Sequence, residues 1–211
     1  MSARLSESFV LRTYPYREGD LIVSFFTRDQ GKLRGIARRA RKPKSTYGSG
    51  LERLSHVVIS YHQKETRELV NLNSCELIHA HTAFATTYEG SVGLDYIAEL
   101  SEQLLPAGEV NERHFRLTMA VLESLRQGGN VWQAINYFAL WAVRLAGILP
   151  ELRVAGESYQ IAREMFVTPI SELEPRPWTK ETAADTRYFL ERQIEQHIER
   201  KLLTPSILAS L

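Results

Sequence analysis

The sequence predicts an α+β protein, with a five-stranded β-barrel at its N-terminus and an all-helical domain after it. Segments rich in β-branched and aromatic residues recur through the first eighty positions, whereas apolar residues from Ala83 onward recur at helical spacing. The charge changes at the same place, from 14 Lys and Arg against 8 Asp and Glu through Ala80 to 12 against 17 thereafter. We therefore expect a basic domain over 1–80 and an acidic helical domain over 81–211.

Five segments of the first domain have the composition of strands: 8–13, 21–27, 32–37, 57–61 and 67–78, the last with a bend at Asn71 or Asn73. Gly19 marks the first turn and Gly31 the second. In the third segment basic and apolar residues alternate, which predicts a strand with one basic face and one buried face. Five short strands predict a closed barrel because closure removes unpaired edges, and the long insertion after the third strand is typical of the OB fold.

Helical spacing predicts a bundle in the second domain. We expect helices over 83–105, from the cap Asn111 to Gly128, over 131–149, near 159–166 and over 179–203. Residues 131–149 are apolar on almost every side, which predicts the buried centre of the bundle. Thr204 and Pro205 are expected to end the last helix, because the residue before a proline disfavours helical geometry.

The composition excludes several classes of protein. The single cysteine, Cys75, allows neither an internal disulfide nor a four-thiolate zinc cage. The first seven residues lack the apolar run of a signal peptide, and no segment approaches the roughly 20 apolar residues that cross a bilayer. We therefore expect a cytoplasmic protein that has no membrane partner.

A dense basic segment is the strongest functional signal. Eight Lys and Arg residues against one Asp lie from Arg28 to Lys44, and this density favours a nearby polyanion or solvent. Beside a barrel it predicts a groove for a phosphate backbone, formed by Lys32, Arg34, Arg38, Arg39, Arg41, Lys42 and Lys44. The alternative is a solvated loop that serves solubility only.

Aromatic residues near the basic segment are candidates for base stacking. Tyr47 has polar neighbours, so we expect it at the surface, where a base can stack on its ring. Core packing is favoured for the other candidates, which are Tyr14, Tyr16, Tyr61 and His62.

No catalytic motif is complete, so we expect neither an enzyme nor a cofactor. The stretch around Gly31 lacks the upstream glycine and the following hydroxyl of a phosphate-binding loop, and the surroundings of Ser91 do not match a nucleophile elbow. His79 and His81 offer too few ligands, and no metal is expected.

A second candidate site lies in the helical half. Arg113 and Arg116, three residues apart on one predicted helix face, are expected to hold the carboxylate of an acidic peptide. A solvated helix face is the alternative.

Two stretches of the first domain carry a resemblance to a known family. They are Tyr16-Arg17-Glu18-Gly19-Asp20-Leu21-Ile22-Val23 and Phe26-Thr27-Arg28-Asp29-Gln30-Gly31-Lys32-Leu33-Arg34-Gly35, continued to Arg41. With Phe138-Ala139-Leu140 and 198–202 in the helical half, they resemble the RecO family of bacterial recombination mediators. The resemblance implies an OB fold that binds single- and double-stranded DNA, followed by a helical domain.

The resemblance also implies an activity and partners. Complementary strands are annealed without nucleotide hydrolysis, on the DNA of the nucleoid. RecR, and in some members RecF, work with the protein, which binds the acidic C-terminal tail of the single-stranded DNA-binding protein (SSB) so that RecA can load.

One departure separates this chain from many family members, which carry two Cys-x-x-Cys pairs just after the helix predicted to end at Leu149. Residues 150–177 contain no cysteine, so we expect a shortened helical domain without zinc. Two other hypotheses stay open: an OB-fold adaptor that binds protein, and an RNA-binding protein that uses the same electrostatics.

Overall fold

The N-terminal part of the chain folds into a closed barrel. The structure is a computed structural model that describes residues 3–63, 68–80 and 85–211. The strands are β1 (Arg4–Tyr16), β2 (Asp20–Thr27), β3 (Gly31–Ala37), β4 (His56–His62) and β5 (Val70–His79). They close in the order β1-β2-β3-β5-β4, and all neighbours are antiparallel except β3 and β5. This barrel, followed by helices, confirms the predicted OB-fold architecture.

Alternation along the strands builds the barrel core. Val23 and Phe25 of β2 point inward, and they meet Val10, Ile59 and other apolar residues in one buried cluster. Val10 pairs with Phe25, but Arg12 pairs with Ser24, so Leu11 forms a bulge in β1. The predicted bend in β5 is also present, because consecutive residues of β4 pair with Ser74 and Leu72 and leave Asn73 as the extra residue. Arg67, the predicted start of this strand, lies outside the described residues.

The chain forms two compact units, and each unit contains two separate stretches of the sequence. The first unit comprises Met1–His81 with Leu105–Phe115, and the second comprises Thr82–Leu104 with Arg116–Leu211. In the first unit the backbone N–H of Gly108 donates to the carbonyl of Lys32 at 2.9 Å, and the ring of Phe115 packs on that of Phe9. The expected domain limits, 1–80 and 81–211, stay a prediction.

The C-terminal part of the chain is helical. Its elements are α1 (Tyr88–Leu104), α2 (Glu112–Arg126), α3 (Val131–Leu145), α4 (Gly156–Val167), a 3-10 turn (Ile170–Glu172), α5 (Ala184–Ile198) and α6 (Thr204–Ser210). Helix α3 packs against α1, α4 and α5 and is buried along most of its length. The prediction that this helix is the centre of the bundle is therefore confirmed.

Some helix limits differ from those expected. Helix α1 begins at Tyr88 rather than at Ala83, and Ala83 itself lies outside the described residues. Helix α3 ends at Leu145, four residues early, because Gly147 takes a left-handed conformation with φ +73°.

The predicted last helix, 179–203, is wrong at both ends, because the chain forms two helices there. Residues before Ala183 form a turn, and α5 ends where Glu199 has φ +55°. Pro205 sits in the first turn of α6, where the missing N–H costs nothing, so it starts a helix rather than ending one. The Glu99 carboxylate accepts the backbone N–H groups of Leu203 and Thr204 at 2.8 and 2.9 Å and caps this helix.

The described residues, 3–63, 68–80 and 85–211, contain neither a membrane-spanning helix nor a metal-ligand group. No helix in these ranges has the length and apolarity to cross a membrane. Nor do these ranges contain three His, Cys, Asp or Glu side chains grouped as metal ligands. His81, half of the candidate His pair, is not among the described residues.

A buried polar cluster lies inside the second unit. Arg187 of α5 is 1% exposed, and its Nη2 donates to the carbonyl of Lys180 at 3.0 Å. Its guanidinium lies 5.1 Å from the centre of the Trp132 ring, and its Nε lies 3.9 Å from Oε1 of Glu191. Nη1 of Arg187 and Oε1 of Glu191 have no hydrogen-bond partner among the described residues. The cluster therefore holds an arginine and a titratable carboxyl group together in the interior of the unit.

Titration of Glu191 is expected to make stability depend on pH. Burial raises its pKa from 4.5 to about 7, although the Arg187 charge opposes the shift. Between these values the folded protein keeps a proton that the unfolded chain has released, so this contribution to stability is lost as the pH rises. At about 1.4 kcal/mol per pH unit, we expect a loss of about 3 kcal/mol across the window.

The measurement is the unfolding free energy of the natural protein minus that of Glu191→Gln, which does not titrate. Tryptophan fluorescence in urea is a suitable readout, since Trp132, Trp141 and Trp178 all lie in the second unit. The difference should decline as the pH rises from about 4.5 to about 7. A difference that is flat or that increases would contradict the assignment.

Candidate nucleic-acid interface

The outer surface of β1, β2 and β3 presents rows of side chains, because residues directly opposite each other on paired strands share a face. Arg12 pairs with Ser24, and Ser24 pairs with Arg34, so these three residues form one row. The next row, two residues further along each strand, is Tyr14, Ile22 and Ile36. Both arginines are exposed, and the residues of the second row are partly exposed. We call this surface, Arg12, Tyr14, Ile22, Arg34 and Ile36, the outer face.

Strand β3 confirms the predicted alternation of a basic and a buried face. Lys32 and Arg34 lie on the outside, whereas Leu33 packs against the barrel core and Ala37 is fully buried. Lys32 is at the beginning of the strand, beside Ala107, and is partly buried. The two predicted phosphate contacts of this strand therefore point to the same side.

The basic loop, residues 38–55, is held on the barrel by apolar side chains. Ala40 and Leu51 pack against the barrel core, and Tyr47 is 4% exposed inside it. The Tyr47 hydroxyl donates to the carbonyl of Leu72 at 2.9 Å, and burial raises the pKa of this phenol. Gly50 also comes so close to β5 that an added Cβ would lie 2.7 Å from Sγ of Cys75.

The prediction that Tyr47 lies at the surface is therefore wrong. Its neighbours in sequence are polar, but its ring fills space in the core that the five strands leave open. A ring in this position offers no face to a base, and Tyr47 acts instead as the anchor of the basic loop. Of the four aromatic candidates expected in the core, Tyr61 is fully enclosed there, whereas Tyr14, Tyr16 and His62 are partly exposed, so the expectation is wrong for these three.

Backbone contacts fold the start of the basic loop against the turn between β1 and β2. The N–H of Arg41 donates to the carbonyl of Gly19 at 3.0 Å, and the N–H of Arg39 donates to Oδ1 of Asp20 at 2.8 Å. Gly19 has φ +90°, and an added Cβ there would lie 2.8 Å from Cε of Lys42. These contacts place the arginines of the loop at the end of the outer face.

The charged groups of the loop are directed to solvent. Exposed side chains belong to Arg38, Arg39, Arg41, Lys42 and Lys44. Lys42 has an ion pair with the exposed Glu18 at 3.5 Å, and such surface pairs contribute little. Within the described residues the side chains of Arg38, Arg39, Arg41 and Lys44 form no ion pair. These four cations are therefore available to a polyanion.

Arg28, although part of the dense basic segment, has a structural role. It pairs with Glu7 at 3.0 Å and with Glu112 at 2.9 Å, and these contacts raise its pKa further. Burial alone would raise the pKa of Glu7, but hydrogen bonds to Arg28 and His56 outweigh it and lower that pKa. The Arg28 charge is therefore neutralised within the first unit.

Sequence reasoning missed two arginines, Arg12 and Arg53. Arg12 lies on the outer face in the same row as Arg34, and its guanidinium is 5.2 Å from the centre of the Tyr14 ring. Partial burial lowers the pKa of Arg53, and the nearby charge of Arg12 adds to that shift. The strand pattern of the sequence indicated that Arg12 points outward. Only the register of β1, β2 and β3 showed that it lies in one row with Arg34.

Arg113 and Arg116 are both exposed on α2. Arg113 belongs to the first compact unit and Arg116 to the second. Their role as a peptide clamp stays a prediction.

Two family models match the chain. Recombination protein O N terminal matches residues 1–81, and Recombination protein O C terminal matches residues 85–169. These ranges include both the barrel with its basic loop and the helices α1 to α4.

Curated relatives with the same printed name, DNA repair protein RecO, are similar to this chain. The one from Koribacter versatilis (strain Ellin345) is 38% identical, and the alignment covers 98% of each chain. That alignment runs over 240 positions, more than the 211 residues of this chain, so the relative carries residues that this chain lacks. Those from Syntrophus aciditrophicus (strain SB) and Geobacter sulfurreducens are 28% and 36% identical over 70% and 58% of this chain. The alignments cover 57% and 50% of those two relatives.

Proposed function

The chain belongs to the recombination protein O family, whose members act in DNA repair, and from this premise we propose that it binds DNA through the outer face and basic loop of its barrel. It acts without catalysis as a mediator of recombinational repair in the bacterial cytoplasm. Arg34, Arg38, Arg39, Arg41, Lys42 and Lys44 contact phosphates, with Lys32 at the far end of β3.

One observation carries this proposal. Arg34 is exposed on the outer face, and the backbone contacts of Arg39 and Arg41 hold the start of the basic loop at the end of that face. A surface that collects several exposed cations attracts a phosphate backbone of any sequence. Fixed loop anchors, Tyr47 above all, keep this surface formed before DNA arrives.

Membership of the family supports the annealing activity and the partners that we propose for this chain. Phosphate contacts do not depend on base sequence, so such a surface binds either of two complementary strands equally well. This property suits the annealing of complementary single strands. RecR, and also RecF, would assist this step, and the acidic tail of SSB would bind at helix α2, with Arg113 or Arg116 as its partner. RecA then loads on the DNA that SSB releases. No nucleotide, metal or other cofactor enters this scheme.

The salt dependence of DNA binding tests the proposal. If about five of the side chains neutralise phosphates, the logarithm of the affinity should fall with the logarithm of salt with a slope of about −3.5. Affinity for a single strand should then fall about a hundredfold between about 50 and 200 mM salt. Fluorescence anisotropy with a labelled oligonucleotide measures this slope.

Two further results of the same titration would count against the proposal. Affinity that does not change with salt would exclude phosphate contacts as its source. An RNA of matched sequence that binds much more tightly than the DNA would favour the RNA-binding hypothesis instead.

A further inference from the structure

The outer face carries an apolar row that lies between a row with two arginines and the start of the basic loop. Tyr14, Ile22 and Ile36 stand side by side on β1, β2 and β3, and each is partly exposed. On one side lies the row of Arg12 and Arg34, about 6.7 Å away at 3.3–3.4 Å per residue. On the other side the strands end and the basic loop begins with Arg38 and Arg39. The row itself spans three strands, about 10 Å.

From this arrangement we infer that the outer face is a stacking platform for single-stranded DNA, with Tyr14 as its aromatic residue. This inference rests on the proposed function and extends it to strand preference. Charge complementarity selects the occupant, because cations on both sides of the row attract phosphates while the row between them is apolar. A single strand can turn its bases onto the row while its phosphates face the arginines.

A duplex does not fit this surface in the same way. Its bases are stacked and paired with each other, so it presents phosphates to the arginines and nothing to the apolar row. Tyr14 is partly exposed, and the guanidinium of Arg12 lies over its ring at 5.2 Å from the centre, so a cation and an aromatic ring stand side by side on this surface. Stacking on such a ring tolerates any base, because every base has a π-face.

The acidic groups near the platform do not prevent single-stranded DNA from binding there. Asp20, in the row beyond Tyr14, accepts the backbone N–H of Arg39, and Glu18 pairs with Lys42. Exposed cations outnumber these two carboxylates at this end of the barrel.

Three DNA probes separate stacking on bases from attraction to phosphates: an oligothymidine, an abasic strand of equal length and a duplex. Tyr14→Ala is expected to weaken oligothymidine binding about 5- to 150-fold, the loss typical of one stacked base. Binding of the abasic strand and the duplex should not change, nor should the salt slope. Tyr14→Phe keeps the ring and should bind oligothymidine within about twofold of the natural protein.

Tyr88→Ala is the matched control, because Tyr88 is 66% exposed and belongs to the second compact unit. It should bind all three probes as the natural protein does. An unchanged affinity of Tyr14→Ala for oligothymidine would overturn the inference, and so would an equal loss on all three probes. If the natural protein binds none of the probes, the proposed function itself fails, and the two failures are thus distinguishable.

Discussion

Reversal of Arg38, Arg39 and Arg41 to glutamate is expected to lower the affinity for single-stranded DNA by about two to three orders of magnitude at about 50 mM salt. The three side chains are exposed and have no ion pair among the described residues, and the backbone that carries them is held at the end of the outer face. Each lost phosphate contact removes about 0.7 from the salt exponent, so the slope should become shallower by about 2. Repulsion between the new carboxylates and the phosphates adds to the loss of affinity.

The matched control is the reversal of Arg153, Arg163 and Arg192, which are exposed arginines of the second unit. Both triple variants change the net charge from +1 by the same amount, so they differ only in where the charge is placed. Anisotropy titrations at several salt concentrations compare them. If both variants lose affinity equally, the net charge of the molecule, rather than a surface on the barrel, attracts DNA.

Replacement of Arg187 by leucine is expected to destabilise the second unit by about 3–5 kcal/mol, as is typical when one partner of a buried pair is removed. The change removes the hydrogen bond to the carbonyl of Lys180 and the contact with the Trp132 ring. It also leaves Glu191 buried without an opposite charge, which should raise the pKa of this carboxyl further. Urea unfolding followed by tryptophan fluorescence reports on this unit.

Arg192→Leu is the control for this experiment, because it makes the same replacement at an exposed position of the same helix. Its effect should stay within about 0.5 kcal/mol. A loss below about 1 kcal/mol in Arg187→Leu would mean that the apolar side chain repacks the cluster and that the charge pair has no net value for stability.

Local patterns in the sequence were sufficient for much of the fold. The alternation in β3 identified which residues face the core, and the outward positions of Lys32 and Arg34 followed from it. Caps also follow local rules: the Asn111 side chain accepts the N–H of His114, and the Asn130 side chain accepts that of Trp132. Such features depend on residues a few positions apart, and a pattern within one segment reveals them.

The errors arose where distant residues decide the outcome. Tyr47 has polar neighbours in sequence, yet its ring is buried in the barrel core among residues from all five strands. Pro205 was expected to end a helix, but the carboxylate of Glu99, on another helix, caps a new one there. Neither partner can be inferred from the residues next to it in the sequence.

The sequence by itself determined the order of the five strands and of helices α1 to α4, the position of the basic segment and the family to which the chain belongs. These are properties of short segments and of their similarity to other chains. Only the tertiary structure placed Arg12 in one row with Arg34 and turned Tyr47 inward. The physical reason is that closure of the barrel fixes the register between strands, and register decides which side chains become neighbours.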